Sequence, residues 1–133
     1  MRKPKPVITL YSFHYKMNKL FDKRFTENKS LRTKYPDDFP LVVMVSQGSK
    51  DLSVHKLLVS KQNTQFSMIT DVMNQIGPLK YDEIFIEKGD RSFKFDPTEA
   101  PKDMVDFYKE FRDNDGFVYV VLTTLKEKID IKK

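Results

Sequence analysis

The sequence contains no cysteine, two histidines and four glycines among its 133 residues. Without cysteine the chain can form neither disulfides nor thiolate metal sites, and it has no cysteine nucleophile. The histidines, His14 and His55, stand in separate segments without metal-ligand spacing. No apolar run approaches the roughly 18 residues that cross a bilayer. We therefore expect no metal, no cofactor and no membrane-spanning segment, and a cytoplasmic location.

Motifs that carry catalytic chemistry are also missing. The chain shows no Ser–His–Asp context and no glycine-rich nucleotide loop, and Glu27 has no partner motif for general acid–base work. The run Asp113–Gly116 resembles part of a calcium loop, but Phe111 stands at a preceding ligand position and no bidentate Glu closes the loop. We interpret this run as a helix end and turn. The sequence therefore predicts a protein that is not an enzyme.

The net charge of +5 comes from 24 Lys and Arg against 19 Asp and Glu. Much of the excess lies at the two ends, in residues 1–5 and 126–133, which form either solvated tails or a patch for nucleic acid or acidic membranes. We expect one domain over residues 1–133. Its predicted parts are a flexible arm (1–10), N-terminal helices (11–35), a core (39–122) and a tail (123–133).

Apolar residues at spacings of three and four predict two short helices between Ser12 and Lys34, with a break near Phe25. A third helix is capped by Thr64 and ends at Gly77, and a fourth is opened by Pro101. The predicted strands cover residues 39–45, 55–59, 84–86, 92–95 and 117–122.

The resulting order, α-α-β-β-α-β-β-α-β, predicts an α+β roll with a helix across one face of a mixed sheet. In the ubiquitin-like version of this roll the last strand lies in the middle, beside the first. The continuous apolar runs 41–45 and 117–122 suit such central positions.

Several motifs resemble those of one family. They are Phe21-Asp22-Lys23-Arg24, the run from Leu31 to Pro40 with its Lys-Tyr-Pro-Asp core, Lys56-Leu57-Leu58-Val59, and Asp113-Asn114-Asp115-Gly116-Phe117-Val118-Tyr119. Over about residues 13–122 the chain is similar to the autophagy-related ubiquitin-like modifiers, the family of the GABA-type-A-receptor-associated protein and light chain 3. The resemblance implies a ubiquitin-like β-grasp roll preceded by two helices. It also implies a monomer that docks autophagy receptors and adaptors.

The docking implied by the resemblance is strand addition of a short aromatic-x-x-aliphatic motif to the second strand. The aromatic pocket would comprise Glu27, Leu31, Pro40, Lys56, Leu58 and Phe117. The aliphatic pocket would comprise Leu57, Val59, Met68 and Val72. Independently, the run 56–59 puts apolar side chains on both faces of a strand that is an edge in this fold, which suits strand addition. The alternative is that Leu57 and Leu58 are simply core and covered surface.

The chain departs from the family pattern at several positions. Asp38 and Gln75 stand where basic residues are common, so we expect acidic flanks on a ligand to help less. Ser60 and Asp71 alter the aliphatic side. No glycine follows Gly116, and Ile129 stands near the position of the family's lipidated glycine, so we expect no C-terminal conjugation.

Two alternatives remain open. One is a non-conjugated ubiquitin-like scaffold that binds tubulin or a membrane surface through the basic arm. The other is a basic α+β nucleic-acid-binding domain, although the chain lacks the strand pattern of base-stacking platforms. On the leading interpretation the protein works in the cytoplasm and on autophagosome or vesicle membranes.

Overall fold

The structure is a computed structural model that describes residues 10–46, 52–77, 81–96 and 103–123. It contains the predicted order of elements. The helices are α1 (Phe13–Asn18), α2 (Phe21–Lys34), α3 (Gln65–Ile76) and α4 (Met104–Phe111). The strands are β1 (Asp38–Ser46), β2 (Leu52–Ser60), β3 (Glu83–Lys88), β4 (Arg91–Phe95) and β5 (Val118–Thr123). Most of the predicted arm and tail, including Ile129, and the proposed helix start Pro101 lie outside the described residues.

The five strands form one mixed sheet in the order β2-β1-β5-β3-β4. Strand β1 pairs antiparallel with β2 and parallel with β5, so the last strand lies beside the first, as predicted. Strand β3 pairs antiparallel with both β5 and β4. In this arrangement β2 is an edge strand of the sheet that the structure describes.

The side chains of β1 alternate between two apolar clusters on opposite faces of the sheet. Leu41, Val43 and Val45 pack with α3 and α4 in the larger cluster. Val42 and Met44 pack on the other face with residues of β5 and, at the periphery, with the N-terminal helices. Both faces of β1 are therefore buried, which explains its unbroken apolar sequence.

The break between α1 and α2 lies at residues 19–20, so the predicted break near Phe25 is wrong. Leu20 is extended, with ψ of 161°. One α2 side chain, Arg24, holds the corner because its Nη1 donates to the carbonyl oxygens of Lys16 and Lys19, at 3.2 and 2.6 Å. The spacing of the apolar residues continues through residues 19–20 and therefore does not indicate the break.

The start of α1 is attached to the sheet by a buried carboxylate. Glu87, on β3, accepts the main-chain N–H groups of Tyr11 and Ser12 at 2.8 and 2.9 Å. The α1 and α2 residues whose spacing predicted the helices are largely exposed instead of facing the core. Their exposed fractions are 50% for Phe13, 62% for Met17, 69% for Leu20, 44% for Phe21 and 46% for Phe25.

The other two helices begin at side-chain caps. Thr64 accepts the N–H of Ser67, and Ser67 Oγ accepts the N–H of Thr64, which completes a capping box. Asp103 caps α4 by accepting the N–H of Asp106. Within α4 the buried residues are Met104, Phe107 and Tyr108, whereas Val105 is exposed.

The run Asp113–Gly116 forms the predicted helix end and turn. The N–H of Gly116 donates to the carbonyl of Asp113 at 2.9 Å, and the N–H of Asp113 donates to the carbonyl of Phe117 at 2.8 Å. Gly116 has φ of +92°, and a Cβ there would lie 2.1 Å from Asn28 Oδ1. Glycine is therefore required both by the backbone angle and by the close approach of α2.

Candidate functional site

The open edge of β2 is the first part of the candidate site. Within the described ranges β2 pairs with β1 alone, so one side of the strand faces away from the sheet. Pro40, which has no N–H, lies opposite Leu58. This pair fits a position where the two strands exchange no main-chain hydrogen bonds, and the N–H and C=O of Leu58 then point to the open edge. Lys56, two residues earlier, points its main-chain groups the same way.

The Gln75 side chain supports this direction because its Nε2 donates to the carbonyl oxygen of Leu58 at 2.9 Å. The same nitrogen donates to Asp71 Oδ1 at 3.2 Å, and Asp71 Oδ2 accepts from Asn63 Nδ2 at 3.1 Å. Helix α3 thus places a side chain on one acceptor of the edge strand. A strand added at this edge would have to replace that hydrogen bond.

The apolar part of the predicted aromatic pocket lies between α2 and the β1–β2 ladder. Phe117 is fully buried, and Leu31 packs at the periphery of the cluster that contains it. Pro40 is buried, while Leu58 on the neighbouring strand is partly exposed. Pro40 and Phe117 are therefore buried while Leu31 and Leu58 keep some exposed surface, and that the four form one pocket for an aromatic side chain stays a prediction.

The charged part of this pocket is a salt bridge that joins α2, β2 and the break between α1 and α2. Glu27 on α2 accepts from Lys56 Nζ on β2 at 2.6 Å and from Lys19 Nζ at 2.5 Å. Burial favours a raised pKa for Glu27, but the bonds from the two lysines outweigh it and hold the pKa below the usual range. The bond to Glu27 raises the pKa of Lys19. The carboxylate is therefore a salt-bridge centre and not a proton donor at neutral pH.

The predicted aliphatic pocket is mostly core in this structure. Val59, Met68 and Val72 are fully buried in the larger cluster, and Leu57 packs against it while remaining partly exposed. Among the four, only Leu57 presents appreciable surface at the edge. The other three could serve as the floor beneath a ligand side chain, and their direct contact with a ligand stays a prediction.

Two contacts at this site were not predicted from the sequence. Lys19 reaches Glu27 across the helix break, and Gln75 reaches Leu58 from a different element, seventeen positions away. The periodic pattern carries no signal for either contact. In the part of the chain that the structure describes, no group of three or more acidic or histidine side chains could hold a metal ion. No helix in those ranges has the length and apolar character needed to cross a membrane.

Comparison with known proteins bears on the fold. No protein-family model matches the sequence. Among solved structures, the crystal structure of Trypanosoma brucei ATG8 is similar, with a TM-score of 0.60 and 22% sequence identity. The match covers 82% of this chain and 91% of the trypanosome chain. At this identity the likeness establishes the fold alone, and it confirms the predicted α+β, ubiquitin-like architecture.

Proposed function

We propose that this chain is a non-enzymatic, ubiquitin-like adaptor of autophagosome or vesicle traffic that docks short aromatic-x-x-aliphatic segments on β2. The observation that carries the proposal is the open edge of β2, where Lys56 and Leu58 direct main-chain groups outward beside apolar side chains. Natural proteins normally blunt such edges, and one that is open apart from the single hydrogen bond from Gln75 to Leu58 suits strand addition. The likeness in fold to Trypanosoma brucei ATG8 supports the proposal.

The ligand's two anchor side chains occupy two different positions on the surface, which we call the aromatic seat and the aliphatic seat. Its aromatic ring fits between Leu31 and Leu58, above Pro40 and Phe117, where the floor is already buried and apolar. Its aliphatic side chain fits beside Leu57. Three core side chains lie beneath that second seat: Val59, Met68 and Val72. The main-chain hydrogen bonds provide affinity, and the spacing of the two seats provides the selectivity for aromatic-x-x-aliphatic segments.

Charge contributes less than the two anchors. Lys56 is held by Glu27, so an acidic flank on the ligand competes with an existing salt bridge of 2.6 Å. Asp38 and Gln75 stand at two positions where basic residues are common in the family that the chain resembles. Exposed ion pairs contribute only a few tenths to about 1 kcal/mol. Acidic flanks should therefore improve affinity only slightly.

Replacing Leu58 tests both parts of the docking mechanism. We expect a synthetic peptide with an aromatic-x-x-aliphatic core to bind with roughly micromolar affinity, since the interface is small. Leu58→Ala removes a wall of the aromatic seat and should weaken binding by about 1–3 kcal/mol. Leu58→Pro also removes the outward N–H and should cost about 0.5–1.5 kcal/mol more. Amide chemical shifts during titration give both the affinity and the location of the peptide.

Val54→Pro is the matched control for Leu58→Pro. Val54 lies on the same strand with the same outward main-chain direction, four residues from Leu58 and away from both seats. Proline is tolerated on an edge strand where its N–H would face solvent, so both variants should fold. Equal losses in the two proline variants would refute docking at Leu58. Docking there would also be refuted if the amide chemical shifts of residues 56–59 and Phe117 did not change when the wild-type protein is saturated with peptide.

The proposed partners are autophagy receptors and adaptors that carry such segments, and the proposed working form is a monomer. We place it in the cytoplasm and on autophagosome or vesicle membranes. Its membrane association would follow from partners or from the basic arm.

A further inference from the structure

A concave site lies on a different face of α2 from the residues of the predicted aromatic pocket. It is a cleft of about 820 Å³ formed by α2, the start of β1, and the end of α4 with the following turn. We call it the basic cleft because six cationic side chains line it: Lys29, Arg32, Lys61, Lys88, Lys109 and Arg112. None of the residues assigned to the two peptide pockets lines this cleft.

The positive charge of the basic cleft is poorly compensated by its own carboxylates. Two acidic residues, Asp38 and Asp113, line it. Asp113 is already engaged, since Oδ2 accepts from Lys16 Nζ at 2.7 Å and from the N–H of Gly89 at 2.9 Å. Within the described residues none of the six lining cations forms a salt bridge. Like charges gathered in a concave surface raise the local potential and attract anions.

Two of the cations, both arginines, lie near one aromatic ring. The guanidinium carbons of Arg32 and Arg112 each lie 5.8 Å from the centroid of the Tyr108 ring, and Phe39 stacks on that ring with centroids 4.1 Å apart. Tyr108 is only 2% exposed, so its position is fixed by the core. The ring therefore brings the two guanidinium groups close together at the edge of the cleft and leaves their N–H donors available.

A buried amide side chain lies in the wall of the same cleft. Asn28 is 2% exposed and lines the cleft. The cleft therefore combines two guanidinium groups, four lysines and an amide, a donor-rich lining that suits an acceptor-rich anion.

We propose that the basic cleft binds a small polyanion that carries two or more phosphate groups. Arginine forms paired hydrogen bonds with phosphate oxygens, and lysines add point charges around them. The cleft volume is in the range of sites for small organic ligands, larger than a single phosphate requires. Its concave shape favours a compact polyphosphate over the extended backbone of a nucleic acid. Such groups occur on free metabolites and on lipid headgroups alike.

The test is a titration of the full chain with inositol hexakisphosphate, followed by calorimetry and amide chemical shifts. We expect saturable binding that weakens as salt is raised, with shifts at Lys29, Arg32 and Arg112. Arg32→Glu should weaken binding at least about tenfold, since it removes a charged hydrogen-bond donor and adds repulsion. Asp38→Asn should tighten binding because it removes the negative charge of Asp38, whereas Asp113, the other carboxylate in the cleft, is already neutralised by Lys16.

Lys23→Glu is the matched control, because Lys23 is an exposed cation on the same helix and the substitution changes net charge equally. It should leave binding nearly unchanged. Equal losses in Arg32→Glu and Lys23→Glu would overturn the proposal, since they would reveal attraction to net charge alone. Absence of saturable binding would also overturn it. The amide spectrum of free Arg32→Glu should match that of the wild type outside the cleft, which shows that the variant is folded without relying on the docking proposal.

Vesicles distinguish the two sources of the ligand. Phosphatidylcholine vesicles containing phosphatidylinositol bisphosphate are compared with phosphatidylcholine vesicles alone in sedimentation. If the wild-type protein sediments with the phosphoinositide vesicles and Arg32→Glu does not, the ligand is a lipid headgroup. If the protein binds inositol hexakisphosphate but does not sediment with these vesicles, the ligand is a free polyphosphate. The proposal would be replaced by a nucleic-acid surface if the protein bound a DNA oligonucleotide more tightly than either probe, and if Lys23→Glu weakened that binding as much as Arg32→Glu does.

Discussion

The buried ion pair between Arg24 and Asp115 should be the strongest single attachment of α2 to the sheet. Arg24 Nε donates to Asp115 Oδ2 at 2.8 Å, and the two side chains are 9% and 0% exposed. Asp115 also accepts the N–H of Phe117 at 2.9 Å and the hydroxyl of Tyr119. Asp115→Ala would therefore remove the acceptor of three donors and leave a buried guanidinium without its counter-charge.

Breaking a buried pair on one side costs about 3–5 kcal/mol. Arg24 keeps its bonds to the carbonyls of Lys16 and Lys19 in Asp115→Ala, which compensates part of its charge. We therefore expect a loss of about 3 kcal/mol, the lower end of that range. This is a large fraction of the roughly 5–15 kcal/mol that stabilises a typical domain.

Equilibrium unfolding in urea measures this loss as a lower midpoint with an unchanged slope. The double variant with Arg24→Met should lose much less than the two single variants together, because removing both charges leaves neither one unpaired. A loss below about 1 kcal/mol for Asp115→Ala, or additive effects in the double variant, would refute the assignment of the pair as a mutually dependent unit.

Two further predictions concern the edge strand and the pH dependence of stability. Gln75→Ala frees the carbonyl of Leu58 and should tighten peptide binding by about 0.5–1.5 kcal/mol in an NMR titration; weaker binding would show instead that Gln75 contacts the ligand. Burial favours a raised pKa for Asp113, but the bonds from Lys16 and the Gly89 N–H outweigh it and lower the pKa. Because the folded pKa is the lower one, the stabilisation is complete above the unfolded value of about 3.9 and is lost as pH falls through the folded pKa. Asp113→Asn should therefore flatten the fall in unfolding free energy below about pH 4, and an unchanged pH profile would argue against this carboxylate's role.

The sheet was predictable because its signals are local. Residues 41–45 and 117–122 are apolar without interruption, and the structure places both in buried central strands. The helix corner was not predictable from periodicity, because its position depends on Arg24 reaching two carbonyls five and eight residues earlier. A side-chain contact of this kind leaves no trace in the spacing of apolar residues.

The candidate site was predictable only in outline. The resemblance supplied the positions on α2, β1, β2 and α3, but not the contacts that Glu27 and Leu58 already make with Lys19 and Gln75. Those contacts depend on the packing of separate elements, which no local pattern encodes. They matter for function because a ligand must compete with them before its own hydrogen bonds stabilise the complex.

The basic cleft could not be predicted from the sequence, for a related reason. The charge excess is most visible at the two ends of the chain, whereas the cleft collects its cations from α2, the β2–α3 turn, β3 and α4. Each of these cations stands in its own segment as an ordinary solvated residue. Only the fold brings them to one concave surface, so neither net charge nor the terminal runs could have located it.

Helix α2 lies between the two proposed sites, so a change in its position should affect binding at both. Glu27 and Leu31 are assigned to the proposed aromatic pocket, while Lys29 and Arg32 line the basic cleft. If Arg24 and Asp115 fix the position of α2, loosening that pair in Asp115→Ala should weaken the peptide and the polyanion together. Leu58→Pro should weaken only the peptide, and Arg32→Glu only the polyanion. A loss of just one ligand in Asp115→Ala would mean that the two sites do not depend on a common placement of this helix.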